Sequence, residues 1–163
     1  MKVSINSDDE IIVFLNNSYI EELNFTDRRK TENYFKSLFQ KLSKNYDIEM
    51  NGFYNVNVYI NKHYGYILEI NIENTDYYTY FGNQIDMKIN LIKDNNFLYE
   101  IDFLYLEPNL LKYCHIYRDG KKLYLKIKND IDNLILGELL EKSNIIYGES
   151  SKQIIKDSVE VRI

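Results

Sequence analysis

No tryptophan, one proline, one cysteine and two histidines occur among the 163 residues. A single cysteine, Cys114, excludes a disulfide within the chain and favours a reducing, cytoplasmic setting. His63, Cys114 and His115 fit no zinc spacing, and no metal or other cofactor is expected. Glycine is scarce, at 6 residues. None of the glycine motifs that cradle phosphate or expose a nucleophile is present: no G-x-x-x-x-G-K-[ST], no G-x-G-x-x-G, no G-x-S-x-G. There is no excess of positive charge. Lysine and arginine number 20 against 25 acidic residues, for a net charge of −5 and a pI near 5.1, which is not the footprint of a nucleic-acid binder. Long apolar runs are absent too. The first ten residues, MKVSINSDDE, turn polar at once and hold no signal core, and no run approaches bilayer length.

What is abundant is aromatic: 16 tyrosines and 8 phenylalanines. Cores built this way pack rings with polar tips. Residues 10–15, EIIVFL, read as a buried strand. Asn17 or Ser18 could cap a short helical turn. A longer helix is expected from Asp27 to Tyr46, started by Thr26 or Asp27, because Phe35, Leu38, Phe39, Leu42 and Tyr46 recur at steps of three and four. GFYNVNVYI (52–60) and YGYILEINI (64–72) alternate as a hairpin, with Tyr54, Val56, Val58 and Ile60 on one face and Tyr66, Leu68, Ile70 and Ile72 inward. Residues 1–74 thus form one α+β unit, a helix over an antiparallel sheet. Residues 75–93 read as a connector or edge strands, with IDMKINLI the strand-like part.

Residues 94–163 read as a second unit. NFLYEI is a strand. DFLYLEPNLLKYC is a short helix that Pro108 would interrupt or kink. HIYRDGKKLYLKIK is a hairpin turning at Asp119-Gly120. DIDNLILGELLEK is a helix with Asp130 as its N-cap, and a last strand lies within QIIKDSVEVRI. The order β-α-β-β-α-β is the ferredoxin-like pattern. The expected class is therefore α+β, two small two-layer units, the second ferredoxin-like.

No catalytic constellation emerges. Cys114 and His115 are adjacent at a strand start, so their side chains point to opposite faces and cannot act as nucleophile and base. His63 falls in a hairpin turn. The paired carboxylates Asp8-Asp9, Glu21-Glu22 and Asp130/Asp132 sit at element ends or on polar faces, where capping and solvation explain them. One short stretch between the last helix and the last strand, Tyr147-Gly148-Glu149-Ser150, has the composition of a contact corner: an aromatic anchor and a carboxylate held by a glycine. Glu138 and Glu141 on the preceding helix could extend it as an acidic rim.

Two long segments resemble the MecA family of bacterial adaptor proteins. DEIIVFLNNSYIEELNFTDRRKTENYFKSLFQKLSKNYDIEMNGFYNVNVYINKHYGYILEI is similar to its first domain. FLYEIDFLYLEPNLLKYC, HIYRDGKKLYLKIK and LGELLEKSNIIYGESSKQIIKDSVEVRI are similar, in that order, to its second. Tyr117, Gly120 and Lys121 match the family's hairpin; Tyr147, Gly148, Glu149 and Ser150 match its corner. Where that family has a long acidic linker, this chain has the aromatic and apolar residues 75–93. The resemblance implies a non-enzymatic adaptor. Its first domain would hold a substrate protein, and its second would bind a ClpC-type Hsp100 ATPase that feeds the ClpP protease. The alternative is a regulator that binds and sequesters a partner protein with no ATPase. Neither expectation involves nucleic acid or a membrane.

Overall fold

The computed structural model describes residues 1–7, 10–16, 25–48, 52–74, 85–94 and 96–162, with side chains at 72–74 and 85 outside the description. The fold is α+β, with two five-stranded sheets. The chain divides into two compact units: Met1–Ile60 with Tyr64–Lys93, and Asp94–Ile163 with Asn61–His63.

The first sheet has the order β1-β2-β4-β3-β5, from β1 (Lys2–Ser7), β2 (Glu10–Asn16), β3 (Gly52–Asn61), β4 (Gly65–Asn74) and β5 (Ile85–Lys93). β2 runs antiparallel to β4, opposing Val13 to Leu68 and Leu15 to Tyr66. β5 runs parallel to β3, opposing Met87 to Tyr54 and Ile89 to Val56, so the sheet is mixed and not the antiparallel one expected. The helix α1 (Arg28–Tyr46) begins where the Asp27 side chain accepts the Lys30 N–H, and it ends at Asp47 in the left-handed conformation, φ 54°. Its stripe of Phe35, Leu38, Phe39 and Leu42 packs with Val13, Leu15, Tyr54, Val56, Val58 and Leu68 into one core. Phe39 meets Tyr54 edge-on, ring centroids 5.3 Å apart. Alternate positions carry polar side chains: Asn90 donates to the side-chain oxygens of Asn55 and Asn57, and Asn57 donates to Glu69. The expected turn at Asn17–Ser18 lies outside the described residues, as does 75–84.

The second unit contains β6 (Leu98–Ile101), a 3-10 turn (Phe103–Tyr105), α2 (Pro108–Tyr113), β7 (Cys114–Asp119), β8 (Lys122–Ile127), α3 (Asn133–Lys142), β9 (Ser143–Ile146), α4 (Gly148–Asp157) and β10 (Val159–Val161). Its sheet order is β10-β7-β8-β6-β9, every neighbouring pair antiparallel. Without β10, the strands from β6 to β9 have the ferredoxin-like arrangement, with the first and third strands central. α2 and α3 supply Leu110 and Leu139 to a core with Tyr99, Ile101, Ile116 and Leu125.

Four local expectations are corrected. Pro108 opens α2 rather than kinking it; its missing N–H costs nothing in a first turn, where that donor has no helical partner. Asp132, not Asp130, caps α3, accepting the Leu134 N–H at 2.8 Å. The hairpin turns at Gly120-Lys121, because Asp119 still pairs with Lys122, and Gly120 takes φ +56°. Finally, the fourth ferredoxin-like strand is Ser143–Ile146. The stretch QIIKD belongs to α4, and the strand after it, β10, is an addition to the β7 edge.

Candidate protein-binding corner

Tyr147-Gly148-Glu149-Ser150 is not a turn between helix and strand. It joins β9 to α4, and Gly148 is the first residue of that helix. Gly148 takes φ +66°, a conformation a side chain would disfavour. Tyr147, the N-cap residue, makes no side-chain capping bond. The cap comes instead from far away in sequence. Asp94, only 4% exposed, accepts the Gly148 N–H at 2.7 Å with one carboxylate oxygen and the Asn96 N–H at 2.8 Å with the other. A carboxylate at a helix N-terminus satisfies an otherwise unpaired donor and faces the positive end of the helix dipole. Within the first turn, the fully buried Ser151 donates its hydroxyl to the Gly148 carbonyl at 2.8 Å. The corner is thus pinned from inside at both ends.

Outward, it presents a small polar surface. The Glu149 side chain is 89% exposed and pairs with Lys152 at 2.6 Å, a contact that raises the lysine pKa through hydrogen bond and charge. Ser150 is exposed and Tyr147 half-buried. The Tyr147 ring leans on Phe97, centroids 6.2 Å apart at 49°, so one face is anchored. Such a ring, rigid and amphipathic, suits an interface anchor.

Glu138 and Glu141 are both exposed on α3, which β9 joins to Tyr147. Beside them, Lys142 pairs with Glu107 at 2.7 Å; the hydrogen bond to Glu107 is the main reason the Lys142 pKa is raised, and Glu138 and Glu141 add to it.

Cys114 and His115 fall on opposite faces of β7. The thiol is buried in the core, and burial pushes its pKa up to about 11. The His115 ring meets Glu160 of β10 at 2.8 Å on the exposed side. Among the described residues, no three His, Cys, Asp or Glu side chains are placed to share a metal ion, and no helix is long and apolar enough to cross a membrane.

Two features escape a reading of the sequence. Asp94 looks like one more polar residue in KDNN; only the fold reveals that it is buried. Phe103, Leu104 and Tyr105 look like the apolar side of a helix, yet they stand out from the surface. Asp102 followed by Pro108 is the available signal, since a cap and a helix start six residues apart leave room only for a separate turn. No protein-family model, no curated protein and no solved structure matches the chain.

Proposed function

We propose that this chain is a MecA-like adaptor. In this reading its first unit holds a substrate protein, and its second unit binds a ClpC-type Hsp100 ATPase through Tyr147, Gly148, Glu149 and Ser150. The observation that carries the reading is the clamp on the corner: a buried carboxylate, Asp94, fixes the backbone from which Tyr147 and Glu149 project. Pre-set side chains lose less entropy on docking, and an exposed carboxylate can meet a partner arginine in bidentate fashion. The sequestering regulator is the second reading, and it needs the same corner but no ATPase. It is favoured by the shortness of residues 75–93, which stand where the MecA family has a long acidic linker.

The test is a binding and ATPase assay with a ClpC-type Hsp100, comparing the wild-type chain with Glu149→Lys. With 89% of the glutamate side chain in solvent, the charge reversal leaves the fold intact, as circular dichroism will show. Binding and stimulated ATP hydrolysis by the wild type, with both lost in the variant, is the expected result. Binding that is unaffected by Glu149→Lys would remove the corner from the interface. Absence of binding by the wild type would remove the ATPase and leave sequestration.

A further inference from the structure

At the opposite end of the second sheet, the core is left open. β6 ends at Ile101 beside Leu123, and the β7–β8 hairpin closes there. Ile116, Arg118 and Leu123 share the face that α2 and α3 cover farther along, and β10 continues that face outward, setting Val161 opposite Ile116 and Val159 opposite Arg118. Val159 remains 70% exposed. The result is a cavity of about 380 Å³ walled by Leu106, Ile116, Leu123 and Val161. That volume lies within the range of small-ligand pockets and accommodates one or two large apolar side chains.

Its lip is the 3-10 turn. Phe103, Leu104 and Tyr105 are 73%, 85% and 52% exposed. Three consecutive large apolar residues in water are costly and mark contact surfaces. They are held there by hydrogen bonds. The Asp102 side chain accepts the Leu104 N–H at 3.0 Å, and the Leu106 N–H closes onto the Phe103 carbonyl at 3.2 Å. Leu106 turns in against the core, so the turn displays its neighbours from a fixed root.

The charge at the mouth runs against that of the chain. Arg118 and Lys121 line the cavity and, among the described residues, no acidic side chain does, in a protein of net charge −5. Arg118 spends its Nε–H on the Gly120 carbonyl at 2.9 Å, which orients the guanidinium and leaves its remaining donors for a ligand. Two cations beside an apolar slot match a short peptide with bulky apolar residues flanked by carboxylates. A nucleic acid would need a longer basic track. We infer that this cavity is a docking site for an acidic, apolar linear segment of a partner protein, gripped between the Phe103 lip and Val161, with its carboxylates on Arg118 and Lys121. The site is separate from the Tyr147 corner and does not rest on the adaptor reading.

The test uses fluorescein-labelled peptides on the full chain, followed by anisotropy. The probe is Asp-Glu-Leu-Phe-Asp-Glu. One control carries lysine at each acidic position, and another carries Gly-Ser in place of Leu-Phe. Saturable binding of the probe alone, weakened by salt as exposed charge contacts are, is expected. Phe103→Asp should reduce it at least ten-fold, and Arg118→Glu with Lys121→Glu should invert the preference toward the lysine peptide. All these positions are exposed, so both variants keep the wild-type circular dichroism. No saturable binding by the probe would overturn the inference, as would equal affinity in the charge-reversed variant. Concentration-dependent dimerisation of the wild type, abolished by Phe103→Asp, would also overturn it by making a second copy of the chain the occupant.

Discussion

Asp94→Ala tests the claim that a buried carboxylate holds the α4 corner. The side chain accepts two backbone N–H bonds, from Asn96 at 2.8 Å and Gly148 at 2.7 Å. Each hydrogen bond to a charged acceptor contributes about 1.5–3 kcal/mol net. Part of that is offset, because the alanine variant no longer desolvates a charge. The loss should therefore come to about 2–4 kcal/mol. With a urea m-value of about 2 kcal/mol per molar, the midpoint falls by about 1–2 M. If the two units unfold in separate transitions, the shift belongs to the one that carries residues 94–163. Asp94→Asn should cost nearly as much, since one of its side-chain positions becomes an NH2 facing an N–H. Amide hydrogen exchange gives the local readout: the Gly148 and Asn96 amides, protected in the wild type, should exchange faster in both variants. A loss below about 1 kcal/mol with unchanged protection at Gly148 would refute the clamp, and with it the argument that the corner is pre-set.

Gly65→Ala should be far more damaging than Gly120→Ala. Gly65 has φ +119° and a Cβ there would run into the Leu15 carbonyl, whereas Gly120 has φ +56° and open space around it. Thermal melts should show a severe loss for the first and about 1 kcal/mol for the second. The protein should also weaken at high pH through Cys114. Its thiol is raised from 9.0 to about 11 by burial, so the folded state holds a proton that the unfolded chain releases. That stabilisation is whole below pH 9 and is lost progressively up to about pH 11, amounting to about 3 kcal/mol. Urea midpoints across that range for wild type and Cys114→Ala check it, and a wild-type profile no steeper than the variant's would contradict the burial argument.

The periodic parts of this chain are legible because one physical rule dominates each. The α1 stripe and the alternation of Tyr54, Val56 and Val58 record a face that must be buried, and both faces pack as the spacing requires, except that Tyr46, expected to close the stripe, is 43% exposed at the helix end. β1 is not legible: among the described residues it pairs only with β2, at the sheet edge, and its mainly exposed residues carry no strong alternation. The last twenty residues mislead for a related reason. QIIKD has β-branched residues that suit a strand, but tertiary context makes it helix. Ile154 and Ile155 end up half-buried in α4, and the role of fourth strand passes to SNII, which pairs with β6. The candidate corner is visible as composition, Tyr-Gly-Glu-Ser, while the residue that fixes it lies 54 positions away. No local pattern encodes such a contact.

Both candidate contact surfaces of the second unit depend on two elements added to its ferredoxin-like core. The four strands β6 to β9 with α2 and α3 form a complete two-layer arrangement, and such an arrangement by itself implies no function. α4 and β10 are the additions. The first turn of α4 is the Tyr147 corner, locked by Asp94. β10 covers part of the β7 edge, is tied to it by His115 and Glu160 at 2.8 Å, and sets Val161 as the outer wall of the cavity near Phe103. One helix and one short strand therefore create a contact feature at each end of the same sheet. The sheet between them keeps the two features at a fixed separation, so two partners engaged there would be held in a set geometry.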